Sequence, residues 1–178
     1  MYIEYFFYRF YKKILNKLLK FCLGEVLVDW NIVVGRFDSE LNLLSSRVIP
    51  NQPNSYFADP FLLMWNKKIY IFAEEFFWDT ALGKISLIEV TDLCPKYYGM
   101  VLEENFHLSF PFVFKKNGKV YMAPESHQNA QVSLYEAIHF PSQWALKGHL
   151  ISNLCASDTV FIETSEYYFA LCNDETGR

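Results

Sequence analysis

One unit of about fifty residues recurs along this chain, and that recurrence limits what the chain can fold into. Residues 58–75 read ADPFLLMWNKKIYIFAEE. The string describes a strand, a tight turn and a returning strand, with Asp59 opening the first strand and Glu74 closing the second. Antiparallel strands bring their outer ends back to one edge, which places the two carboxylates together. Residues 109–126 (SFPFVFKKNGKVYMAPES) and 157–173 (SDTVFIETSEYYFALCN) repeat the unit. Pro60, Tyr70 and Glu74 recur as Pro111, Tyr121 and Glu125, each 51 positions on. Asp59 and Tyr70 recur as Asp158 and Phe169, each 99 positions on. A period of this length built from short strands is the pattern of a β-propeller blade.

Further strands complete each repeat. Residues 83–90 (GKISLIEV) form a third strand, and Ser86-Leu87-Ile88-Glu89 matches Ser133-Leu134-Tyr135-Glu136. A fourth is expected at 100–108, echoed by 144–151. Asn117-Gly118 is a strong hairpin signal, because both residues tolerate positive φ at low cost. Residues 51–57 and 76–82 read as loops. Upstream, 30–36 and 41–49 are rich in β-formers and suit strands that complete a closing blade. The expected fold class is all-β: an incomplete propeller over 25–178, five-bladed when complete. It has closing strands at 28–50, blades of four strands at 58–108 and 109–152, and a half blade at 157–173. Closing a ring takes at least about four blades. The chain therefore reads as a truncated version of a longer one, short by roughly 100 residues at a repeat of 40–50. Its open strand edges predict self-association.

Residues 1–24 differ from the rest. Apolar residues at spacings of three and four alternate with Arg9, Lys12, Lys13, Lys17 and Lys20, which predicts a basic amphipathic helix over about 3–22. Gly24 supplies a C-terminal cap. Charges interrupt every apolar run, so a bilayer span and a signal peptide are both excluded. Two readings stay open: a helix lying on a membrane surface through residues 1–23, or one packed on the domain. The formal net charge of −4 gives no basic field for nucleic acid. Cys22, Cys94, Cys155 and Cys172 form no CxxC pair and no metal-ligand spacing, so free thiols in a reducing, cytoplasmic setting are expected, with no metal and no cofactor.

The ADPF opening, HLSFPFVF, NGKVYMAPES, VSLYEA, FPSQW and the later SDTVF together resemble one family over about residues 28–173. It is the N-terminal domain family of glucosamine inositolphosphorylceramide transferase, similar in turn to the five-bladed arabinanase, levansucrase and invertase superfamily. Members occur alone or joined to glycosyltransferase or formyltransferase domains, which the resemblance implies as partners. In the wider superfamily the first-blade Asp-Pro supplies the base or nucleophile, which the resemblance carries onto Asp59. A third-blade aspartate orients substrate, which it carries onto Asp158. Phe110 departs from the Asp-Pro pattern at the second blade. The superfamily's general acid, a glutamate on a later blade, has no counterpart here. Glu125 belongs to the family's PES motif without an assigned role.

Glycoside hydrolysis needs two carboxylates across a cleft, about 5 Å apart for retention and up to about 9.5 Å for inversion. Asp59, Asp158 and Glu125 are the catalytic candidates. Glu74, Trp78, His107, Phe110 and His127 are candidates for holding a sugar by hydrogen bonds or stacking. The same acids also fit a plainer reading, as turn devices and solvated strand ends. The leading function is recognition of a carbohydrate or glycolipid in glycan assembly, without catalysis by this chain. The alternatives are an active glycoside hydrolase or glycan transferase in a longer form, and a scaffold that docks a partner enzyme.

Overall fold

The structure is a computed structural model that describes residues 30–174. The helix expected over 3–22 lies outside the described residues. Between Asn31 and Asp174 the chain is all-β.

Twelve strands fall into four antiparallel sheets. β1 (Ile32–Phe37) pairs with β2 (Leu43–Ile49). β3 (Ser55–Trp65), β4 (Lys68–Phe77), β5 (Leu82–Thr91) and β6 (Cys94–Leu102) form a four-stranded meander in chain order. A second meander contains β7 (Ser109–Lys116), β8 (Lys119–Glu125), β9 (Gln131–His139) and β10 (Gln143–Ser152). β11 (Ala156–Glu163) pairs with β12 (Tyr168–Asp174). Two-residue turns close three of the hairpins at Asn66-Lys67, Asp92-Leu93 and Asn117-Gly118, all six residues having positive φ. That is the backbone hand which matches strand twist.

Several boundaries differ from expectation; β4 runs to Phe77 and β5 starts at Leu82, both inside the segment 76–82 read as a loop. β3 begins at Ser55, inside the segment read as a loop, so Asp59 lies within a strand rather than at its start. The fourth strand of the first meander is β6, at Cys94–Leu102 rather than 100–108. The Asp92-Leu93 turn leads directly into it, and residues 103–108 instead cross to the next sheet.

Apolar burial glues the sheets face to face. One face of the first meander places Tyr70, Phe72, Ile85 and Leu87 against Leu108 of the crossing and Val113, Val120 and Met122 of the second meander. Its other face places Phe57, Ile71, Ala73, Ile88 and Val90 against Ile32 and Ile49 of β1 and β2. Phe57 and Leu63 both belong to β3, yet they sit in opposite clusters. The register explains this. Ala58 pairs with Glu74 and Phe61 with Phe72, so Asp59 and Pro60 together oppose Ala73. This is a β-bulge, and it switches the face on which the strand's odd residues lie.

The bulge occurs three times. Ser109 pairs with Glu125 and Phe112 with Ala123, leaving Phe110-Pro111 as the second. Ser157 pairs with Asn173 and Val160 with Leu171, leaving Asp158-Thr159 as the third. The first residue of each is left-handed: φ is +47° at Asp59, +41° at Phe110 and +53° at Asp158. Aspartate visits this region more easily than most residues, whereas for phenylalanine it costs roughly 1 kcal/mol or more. Proline suits the second position of a bulge, where a ladder N–H is not required. The repeated proline is therefore a bulge signature.

Candidate functional site

β3, β7 and β11 lie side by side across the three sheets. Their bulges, with the facing ends of β4, β8 and β12, carry most of the expected site residues. Opposite the residue that precedes each bulge stands Glu74, Glu125 or Asn173.

The first group is Asp59, Glu74 and His107. Glu74 is buried, with a side chain 9% exposed. The imidazole of His107 brings Nε2 to 3.2 Å from its Oε1. The carboxyl of Asp59, on the exposed bulge, is close enough to act on Glu74 through its charge. Burial pushes the Glu74 carboxyl above its ordinary value; the His107 contact offsets part of this, and the like charge of Asp59 adds to it. The bond to Glu74 pushes His107 upward against the opposing effect of burial, and Glu125 and Asp59 add to the rise through their charge. One local contact works the other way. The Gly83 N–H donates to His107 Nδ1 over 3.0 Å, and a proton on that nitrogen would meet a donor. The arrangement therefore favours the Nε2–H tautomer pointing at Glu74.

Gly83 was not among the expected residues, and its position requires a glycine. A Cβ there would lie 2.5 Å from the Leu108 carbonyl oxygen, 2.7 Å from Glu74 Oε1 and 2.8 Å from His107 Cε1. The Gly83 carbonyl also accepts the Leu108 N–H at 2.9 Å, which ties the 103–108 crossing to β5. The one sequence signal was a glycine inside a strand pattern, which often marks close approach of another segment.

An aromatic shelf adjoins this group. Trp78, just past β4, is 5.1 Å between ring centroids from Tyr56 and 5.4 Å from Phe76. Phe76 in turn lies 6.0 Å from the His107 ring. Tyr56 of β3 and Phe76 of β4 were not anticipated, since both positions were read as loop.

The second group is Glu125, His127 and Asp158. Glu125 closes β8, its side chain 11% exposed. Its Oε1 meets His127 Nδ1 at 3.0 Å, and its Oε2 accepts the backbone N–H of Asp158 at 2.8 Å. His127 lies in a short 3-10 turn, His127–Asn129. The Asp158 carboxylate is exposed and accepts from Asn173 Nδ2 at 3.2 Å. Each aspartate thus faces the residue at the Glu74-equivalent position of its own sheet. Phe110 holds the equivalent position of the second bulge with a ring, 4.9 Å from Phe61.

The reading of these glutamates as solvated strand ends is corrected. Glu74 and Glu75 are both buried, and Glu125 nearly so. Glu75 lies on the opposite face from Glu74 and accepts from Ser55 Oγ and Ser86 Oγ, each at 2.5 Å, and from Tyr97 OH at 2.7 Å. Burial and the Glu75 bond push the Tyr97 hydroxyl well above its ordinary value. Among the described residues no group of three or more His, Cys, Asp or Glu is placed to hold a metal ion.

Known proteins are similar to this chain in sequence. The family profile described as "Glucosamine inositolphosphorylceramide transferase 1, N-terminal" matches residues 43–178. A protein named glucosamine inositolphosphorylceramide transferase 1 from Arabidopsis thaliana is 35% identical over 127 residues, which is 70% of this chain and 16% of that protein. Proteins of the same name from Oryza sativa, subspecies indica and japonica, are each 36% identical over 101 residues, 56% of this chain and 14% of theirs. The aligned part is thus about a sixth of the length of these relatives. With three quarters of its length matched by one profile, the chain belongs to the glucosamine inositolphosphorylceramide transferase N-terminal domain family.

Proposed function

We propose that the sheets are consecutive blades of a β-propeller and that their bulged rim recognises a carbohydrate or glycolipid headgroup in glycan assembly. The observation that carries this reading is the Asp59–Glu74–His107 group beside the Tyr56–Phe76–Trp78 shelf. Sugars present hydroxyls to carboxylates and imidazoles, and apolar C–H faces to aromatic rings. The relatives are named for a transferase of glucosamine and inositolphosphorylceramide, so those headgroups are the first ligands to try. Titration of the chain with glucosamine and with inositol phosphate, followed by NMR, is expected to show saturable shifts around Asp59 and His107. Asp59→Asn and His107→Ala are each expected to weaken binding about tenfold, near the 1.4 kcal/mol of one charge-assisted bond. Equal binding by wild type and both variants would sink the reading.

A second reading rests on Glu74. A carboxyl raised by burial beside a second carboxyl is the arrangement that general-acid glycoside chemistry uses. If the rim turns over a glycoside, Asp59→Asn abolishes turnover and retains the ligand. If it only binds, neither form shows turnover.

A further inference from the structure

We infer that Glu125 is a positioning residue: it latches the third bulge, in β11, so that the Asp158 carboxylate is presented at the rim. The inference rests on the rim being a ligand site. Three observations carry it. First, the Glu125 carboxylate is nearly buried, and its two oxygens are divided between two partners, His127 Nδ1 and the Asp158 N–H. Second, the N–H it holds belongs to the left-handed residue of the bulge, the one backbone position in β11 that costs energy to maintain. A charge-assisted bond to that amide offsets the cost and fixes the direction in which the next atoms leave the backbone. Third, the bond crosses from β8 to β11, between strands that belong to different sheets. The Glu74 carboxylate, at the same place in the first meander, also meets an imidazole, that of His107, through Nε2. The two glutamates thus share a histidine contact, and Glu125 adds the latch.

The division of labour is specific. Asp158 reaches ligand through its side chain, and Glu125 acts on ligand only through Asp158. Glu125→Gln keeps an acceptor oxygen for the Asp158 amide, whereas Glu125→Ala removes it. Amide hydrogen exchange by NMR reads the latch directly. In Glu125→Ala the Asp158 amide is expected to exchange about tenfold faster or more, while Glu125→Gln stays near wild type and amides at Phe161 and Ile162 keep their rates. Rescue by glutamine also covers the case in which the alanine variant fails to fold. Titration with glucosamine and inositol phosphate reads the consequence. Glu125→Ala and Asp158→Ala are expected to weaken the bound probe by the same factor, with no further loss in the double variant.

Unchanged exchange at Asp158 in Glu125→Ala would overturn the latch. So would a loss of probe binding in Glu125→Ala that Asp158→Ala does not share, because Glu125 would then touch the ligand itself. If both variants bind the probe like wild type, positioning is refuted. If wild type binds neither probe, the carbohydrate reading fails by itself, and the exchange rates still decide whether the latch exists.

Discussion

At the scale of single residues, Glu74 shows what burial does to a carboxyl. Its raised pKa means that the folded chain holds this proton more tightly than the unfolded chain does. The associated stability is complete at acid pH and is lost as pH rises through the folded value, above the ordinary 4.5. Urea denaturation from pH 4 to 7 is therefore expected to show stability falling with pH in wild type, at no more than about 1.4 kcal/mol per pH unit for one proton. Glu74→Gln should flatten that fall; an identical slope in both proteins would refute the assignment. The acids of the site were legible because they recur with the repeat: Asp59 with Asp158, Glu74 with Glu125. His107 and Trp78 were singled out as sugar-contact types, without a repeat to support them. Gly83 was not legible, because its role is to leave room, and a missing side chain makes no pattern until the neighbouring oxygen atoms are known.

At the scale of elements, β4 carries two adjacent glutamates that serve opposite faces, since successive strand residues point to opposite sides of a sheet. Glu74 belongs to the rim and Glu75 to the interior. Glu75 is 1% exposed and is the shared acceptor of three hydroxyls from β3, β5 and β6, so it stitches all four strands of the first meander. Glu75→Ala would leave those hydroxyls buried without their acceptor and is expected to cost about 3 kcal/mol or more in chemical denaturation. Tyr97→Phe, which removes one donor, is expected to cost about 1 kcal/mol. A loss below that for Glu75→Ala would show the network to be incidental. The hairpin at Asn117-Gly118 was legible because its residues are the usual ones for positive φ. The turn at Asp92-Leu93 was not, because leucine at φ +59° carries no turn signal. Missing it displaced the fourth strand by several residues.

At the scale of the whole described region, the sheets are joined by rings rather than by backbone ladders. Phe112 lies 5.5 Å from Phe61 and 5.7 Å from Phe161, linking three successive sheets. Phe140 and Trp144, from the FPSQW string, cover Tyr70 and Phe72 of the first meander. That motif is thus accounted for by packing, with Trp144 Nε1 donating to the Pro141 carbonyl at 3.0 Å. Phe112→Ala is expected to cost about 3 kcal/mol and to raise hydrogen exchange in β11 and β12 before it does so in β4 and β5. Uniform exchange across all strands would contradict this coupling. The strand repeats and the all-β class were legible from period alone. The bulges were not: in sequence, Asp-Pro looked like a strand opening, because a bulge differs from a start only in what lies across the ladder.

The three bulges have a consequence for which face each residue serves. A strand is a period-two wave, and each bulge is a half-period slip that lets one strand feed two cores. Pairing the same residues without the bulge would put Phe57 and Leu63, six positions apart, on one side, and one of the two clusters would lose its contribution from this strand. The bulge positions have already accepted aspartate and phenylalanine at the first place, and proline and threonine at the second. The chain is thus permissive there about which residues it carries, while the slip itself recurs in all three strands.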